Sequence, residues 1–570
     1  MEDDDLSCLL FPIEQEEDTR NPSKNDGSTF FTADAFKAGE LNPFESYPST
    51  LPSDIVSSCL QYRLSVMTPR MIPSSGAKNP YLDAWLPVSL QNPVLFSALL
   101  FSTLTHRLTH CLMNQKKTPA SIDHKQLILF CQQESATRAN LALKHAATAV
   151  TDESILAVLM LTEGVNAFQD RDWAGSSPFN PPLQGLQWLN VHGARVPHMS
   201  HQAGLCKLVA LKGGLQKINI PGAALAIFYR TLVNSTLTLT TPQIPFYSVR
   251  GHENSDLRFY FSSPSGMFDH GVQKFKNAGL PFPLAYVSQG FVMYSSMVHA
   301  YVNGDNIPHD TGLLCDIRNL VHFHVMALPA GVDFDDNELH PVYEACRIAL
   351  IIYSVGVIFP IPPVGSPIQL LAVLLHRELS KETLLDQHTL EAGNGLLAWL
   401  ITMGGIAAHH TKERSWFARE LAAVTSRTSI SSWSSLRAQL KAFPWLDCAC
   451  DNGGERLWEE SQQFNSLHLS DTPGSHRYTT RPQPCVHCSR RRVKCDKQQP
   501  CQNCIKHNLT CNYKTSSPAE RTETSTTGLT HACDLCRQRK VRCDGQRPCK
   551  GCQRLQKSCS NSYATDHRTN

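Results

Sequence analysis

The stretch CDLCRQRKVRCDGQRPCKGCQRLQKSC, residues 533–559, decides how this 570-residue chain is read. Its cysteines, Cys533, Cys536, Cys543, Cys549, Cys552 and Cys559, are separated by gaps of 2, 6, 5, 2 and 6 residues. Upstream, CVHCSRRRVKCDKQQPCQNCIKHNLTC at 485–511 repeats those gaps with Cys485, Cys488, Cys495, Cys501, Cys504 and Cys511. In both units Asp follows the third cysteine and Pro precedes the fourth. A C-x2-C pair can fill two corners of a zinc tetrahedron. Six thiolates fall short of the eight ligands that two separate four-coordinate ions need. They suffice if two sulfurs bridge both metals, giving two zincs per unit and four per chain.

Twelve of the 21 cysteines lie in these two units. The N-terminus begins Met1-Glu2-Asp3-Asp4-Asp5, the opposite of a positively charged secretory start. An intracellular chain keeps its thiols reduced, so metal binding is expected rather than a disulfide framework. The longest apolar run, Ile348 to Phe359, is too short to span a bilayer.

Charge divides the chain in the same place. Residues 477–570 carry 19 Lys/Arg against 6 Asp/Glu, a net +13, and the remaining residues 33 against 44, a net −11, which together give the overall +2. A basic end on an acidic body points to an anionic partner at the C-terminus, with nucleic acid first. A two-zinc, six-thiolate centre is itself formally −2, so basic residues must surround it before it can approach phosphate. Ser489-Arg490-Arg491-Arg492-Val493-Lys494 and Arg537-Gln538-Arg539-Lys540-Val541-Arg542 supply that charge between the second and third cysteines.

On these gaps, basic runs and Asp and Pro positions, each unit resembles the fungal binuclear zinc cluster DNA-binding domain. That resemblance implies bridging by the first and fourth cysteines, here Cys485 and Cys501, and Cys533 and Cys549. It also implies a short helix entering the major groove of double-stranded DNA. Arg491, Arg492, Arg539 and Lys540 then match the base-reading positions, and arginine or lysine bonding to guanine O6 and N7 suits a GC-rich, CGG-like triplet. Arg490, Lys494, Arg537 and Arg542 match positions that hold phosphates. In unit one Ser489 stands where the family commonly has Arg, and Arg492 where it commonly has Lys. The family normally carries one cluster at the N-terminus, whereas two close this chain.

The rest reads as mainly α. Residues 1–60 are rich in Pro, Ser, Asn and acids and are expected to be disordered. Within them residues 1–18 hold eight acids and no base around Leu6, Leu9, Leu10, Phe11 and Ile13, the pattern either of an activation segment touching transcription machinery or of a solubilising tail. An all-helical domain is expected over 80–445. Asn92-Pro93 reads as an N-cap and first helical position, followed by Leu95, Leu99, Leu104, Leu108 and Leu112 on one face. Thr151-Asp152-Glu153 opens a second helix carrying Ile155, Leu156, Leu159, Val165 and Phe168. Further helices are expected at 201–212, 343–358, 394–408 and 415–424, with Gly213-Gly214 as a C-cap. A Ser/Thr/Pro-rich linker is expected over 461–484. The 21 residues 512–532, rich in Ser, Thr and Glu, form a second, flexible linker between the clusters.

Residues 201–214, 344–363, 396–408 and 413–422 resemble landmarks of the fungal-specific regulatory domain that accompanies such clusters. This implies an all-helical domain that tunes the DNA-binding part and holds no catalytic residues. The pairs His198/His201, His322/His324 and His409/His410 carry no HExxH, nucleophile elbow or phosphate-cradling loop, and read as packing or surface residues. Cys448-Ala449-Cys450 is too tight for a ligand pair. The expectation is therefore a non-enzymatic, nuclear, DNA-binding regulator of a metabolic or secondary-metabolite gene set, against the alternative of an enzyme or scaffold merely tethered by its tail. No sustained heptads follow either cluster, so one chain on a double site is a possible stoichiometry.

Overall fold

The computed structural model describes residues 47–71, 79–114, 122–163, 173, 175–261, 266–304, 310–331, 342–381 and 395–469, and at the C-terminal end residues 488, 501, 504, 506–507, 533–539 and 548–558. The chain divides into two compact units, Met1–Thr472 and Pro473–Asn570. Among the described residues the first is built from helices without strands, and a lone antiparallel bridge joins Glu163 to Pro197. The mainly α reading holds.

Local chemistry starts the helices where the sequence places them. Asn92 caps Pro93–Met113 by accepting from Val94 N at 3.0 Å and Leu95 N at 3.1 Å. Proline at the first position loses no bond, because that N–H has no intrahelical partner. Leu95, Leu99, Leu104 and Leu108 are buried, but so are Phe96, Ala98 and Phe101 on the other sides. The helix is therefore enclosed rather than amphipathic, packed between Ile122–Leu143 and Asp152–Leu161. Thr151 Oγ1 accepts from Ser154 N at 3.3 Å and starts Asp152–Leu161. Ile155, Leu156 and Leu159 face the core, while Val165 and Phe168 lie outside the described residues. Met199–Lys212 ends at Gly213, whose φ of 95° is open to glycine at little cost.

The second half packs around Leu396–Ala407, buried along its whole length. Gly404 and Gly405 let two helices close on it. A Cβ at Gly404 would stand 2.3 Å from the Phe417 ring of Arg414–Arg427, and one at Gly405 2.3 Å from Leu457 of Asp447–Leu469. Tyr343–Tyr353 continues through a π turn, Ser354–Ile358, into the 359–363 loop.

Two boundaries differ from expectation. The helical body begins before 80 and inside the segment expected to be disordered: Ser53–Tyr62 buries Val56, Cys59 and Leu60, and Tyr47 stacks on Phe96 with centroids 6.0 Å apart. Three buried positions in ten residues among Ser and Pro give too short a period to read. At the other end Asp447–Leu469 carries helix past 445 and into the stretch expected as linker. Residues 1–18 lie outside the described residues.

Candidate zinc centres and nucleic-acid interface

In the second repeat the spacing turns into geometry through two one-turn helices, Asp534–Gln538 and Lys550–Arg554. Each begins immediately after a cysteine, Cys533 or Cys549, and carries the next, Cys536 or Cys552, within its turn. Cys549 caps its helix by accepting from Cys552 N at 3.3 Å. This N–H to sulfur bond favours thiolate over thiol.

The four sulfurs converge in a core of their own. Cys533 Sγ stands 3.7 Å from Cys549 and 3.5 Å from Cys552, and Cys536 Sγ stands 3.5 Å from Cys549. All four side chains are buried and, among the described residues, Leu535 is the apolar side chain packed against them. A disulfide would put sulfurs ~2 Å apart. The edge of a tetrahedron with ~2.3 Å zinc–sulfur bonds is ~3.8 Å. The donor set therefore fits zinc. Crowding pushes the Cys536 thiol up to about 12, first through hydrogen bonding to Cys549 and then to Cys533.

The first repeat shows the same arrangement in its described part. Cys488, Cys501 and Cys504 are buried with their sulfurs grouped, Cys488 to Cys501 at 3.6 Å, and Cys501 accepts from Cys504 N at 3.4 Å. Cys485, Cys495, Cys511, Cys543 and Cys559 lie outside the described residues, as do Arg490, Arg491, Arg492, Lys494, Lys540 and Arg542. Of the remaining basic positions, Arg537 lies on the Asp534–Gln538 helix, and Arg539, exposed, follows it with its N–H on Leu535 O at 3.1 Å.

The second short helix exposes Lys550 and Arg554, with Lys557 beyond it. These three stand outside the basic run between the second and third cysteines, to which the sequence assigns recognition. Their signal is the i,i+4 spacing of Lys550 and Arg554 directly after Cys549.

In the first unit the histidine pairs are packing or surface residues: His322 is buried, His410 is exposed and the others are half-buried. His322 is enclosed between Thr236 Oγ1 and Ser354 Oγ, both at 2.7 Å, and stacks on Phe359 at 4.1 Å. Burial pushes its pKa down to about 3, with Arg318 adding to the effect. His324 Nε2 meets Ser255 O and His201 Nδ1 meets Leu161 O, both at 2.7 Å. Among the described residues, the only clusters of three or more metal-ligand side chains are the two cysteine groups. No helix among them is long and apolar enough to cross a membrane.

The comparisons agree with this chemistry. Residues 483–520 and 531–568 each match the family model of the fungal Zn(2)-Cys(6) binuclear cluster domain. No curated protein and no solved structure gives a match to the chain. Each buried sulfur group lies within one of the two family matches, and the C-terminal part of this chain is a tandem pair of fungal Zn(2)-Cys(6) binuclear cluster domains, each holding two zinc ions and characteristic of DNA-binding transcription regulators.

Proposed function

We propose that the chain is a sequence-specific transcription regulator that acts in the nucleus and reads GC-rich, CGG-like triplets in double-stranded DNA through both clusters. The observation that carries this reading is the repeated unit itself: a buried sulfur core followed at once by a basic run, with Arg539 exposed directly after the Asp534–Gln538 helix. Zinc supplies the fold of each cluster by binding six thiolates, and the chain's own basic residues do the recognition. Arg491, Arg492, Arg539 and Lys540 are assigned to base edges, and Arg490, Lys494, Arg537 and Arg542 to phosphates, which set register without reading sequence.

In this reading the helical body regulates the DNA-binding end, residues 1–18 contact transcription machinery, and the targets form a metabolic or secondary-metabolite gene set. The test is binding of the full chain to a duplex library randomised around CGG, at two salt concentrations. Selective enrichment of GC-rich triplets supports the reading. Binding that is uniform across sequences and vanishes with salt rejects sequence-specific recognition.

A further inference from the structure

Deep in the helical body, three arginines lie in the field of one carboxylate. Arg63, Arg195 and Arg230 are all buried, and Glu163, on the bridge to Pro197, pairs with Arg195 and Arg230. Glu163 is also the carboxylate whose charge acts on Arg63. Arg63 itself spends its Nη1 on neutral groups, Ser102 Oγ at 3.2 Å, Thr103 Oγ1 at 3.1 Å and the Met67 sulfur. Burial lowers Arg63 and Arg195 only to about 10, so both stay charged at neutral pH. Among the described residues three positive charges against one leave two in excess, where an unpaired buried charge costs several kcal/mol.

The excess surrounds a cavity of about 40 Å³ lined by Arg63, Glu163, Gln187, His192, Tyr229 and Arg230 among others. At ~10–15 Å³ per water-sized position this holds roughly three atoms' worth of guest. Two further features mark it as built. His192 is 3% exposed, and its Nδ1 meets no hydrogen-bonding group among the described residues. Gln187 and Trp188 both adopt left-handed backbone, φ 56° and 55°. Gln187 is fixed there by Arg318 and Asn319 on its side chain and by Tyr229 Oη donating to its carbonyl at 3.1 Å. Consecutive strained residues persist only where the surroundings over-determine them, as they do at binding sites.

We propose that this cavity binds a small planar anion, a carboxylate or oxyanion of three or four heavy atoms, between Arg63 and Arg230. Its charge offsets the arginine excess, and the His192 Nδ1 supplies a further polar contact. The proposal does not rest on DNA recognition and concerns the first unit alone.

The test is thermal unfolding and titration calorimetry of the full chain with sodium formate, acetate or nitrate. Sodium gluconate at equal ionic strength is the control, being too large for the cavity. The small anions should raise Tm by about 3 °C at roughly a hundredfold excess over Kd, and gluconate should not. Glu163→Gln increases the positive excess and should tighten small-anion binding about tenfold, whereas Arg63→Met should abolish it. If either variant fails to fold, the parent titration decides. Equal shifts with gluconate and the small anions, or a Glu163→Gln protein with unchanged half-saturation, would overturn the proposal. The sequence after Glu163 contains Asp170 and Asp172 as rival partners. Anion stabilisation that appears only in the Asp170→Asn, Asp172→Asn double variant would also overturn it.

Discussion

Cys533 and Cys549, sixteen positions apart in the chain, hold their sulfurs 3.7 Å apart in a core whose other described members are Cys536 and Cys552. Among the described residues, Leu535 is the one apolar side chain that packs against that core. A unit of this size cannot bury enough surface to fold by hydrophobicity, so metal binding and folding are one event.

Zinc removal tests this directly. The intact chain should carry about four zincs, and Cys549→Ser should leave about two, because a bridging sulfur holds both metals of its unit. Elemental analysis gives the count. Retention of three zincs in the variant, or of DNA binding in excess chelator, contradicts the bridged centre.

Base and phosphate contacts should separate under mutation. Arg539→Ala should cost about 5- to 150-fold on the preferred triplet and relax selectivity there, following the ~1–3 kcal/mol of a good base contact. Arg537→Ala should weaken all duplexes alike and lower the salt slope by about one. Fluorescence anisotropy against salt measures both, and the reverse pattern would exchange the two assignments.

Tandem clusters should act together. A chain of 21 residues has an r.m.s. span of roughly 25 Å, enough for half-sites from adjacent to about one helical turn apart. The tether raises the second cluster to the order of millimolar near its half-site. Cys533→Ser should therefore weaken binding strongly on a double site and little on a single one. Analytical ultracentrifugation should find one chain per double site, and a strict two-chain complex speaks against it.

The acidic segment makes a separate claim. Residues 1–18 fused to an unrelated DNA-binding domain should activate a reporter, and Leu10→Ala with Phe11→Ala should remove most of that activity. A silent fusion identifies a solubilising tail instead.

Acid should destabilise the helical body from about pH 6.5 downward. His322 is held neutral to about pH 3, and His106 and His192 are also lowered well below their ordinary value by burial and nearby arginines. The unfolded chain takes up protons near 6.5 that the folded state refuses, so stability is full above that pH and falls below it. Each histidine contributes up to about 1.4 kcal/mol per pH unit. Asp316, pushed up to about 7 by burial, opposes this between roughly pH 4 and 7 but is one group against three. Tm should fall from pH 7 to 5, and His322→Gln should flatten that slope. A pH-independent Tm contradicts the assignment.

What the sequence determines by itself is what short-range chemistry encodes. The cysteine gaps specify the zinc donors because a tetrahedral site constrains ligands a few residues apart, and Asn92 and Thr151 start helices because a cap acts within one turn. The tertiary structure decides what depends on distance along the chain. Ser53–Tyr62 is helical because Val56 and Cys59 find a core, although its own composition suggests none. Arg63, Glu163, Arg195 and Arg230 carry no shared spacing and meet only because four separate segments pack together. Their charges act strongly on one another in a low-dielectric interior that no local pattern reveals.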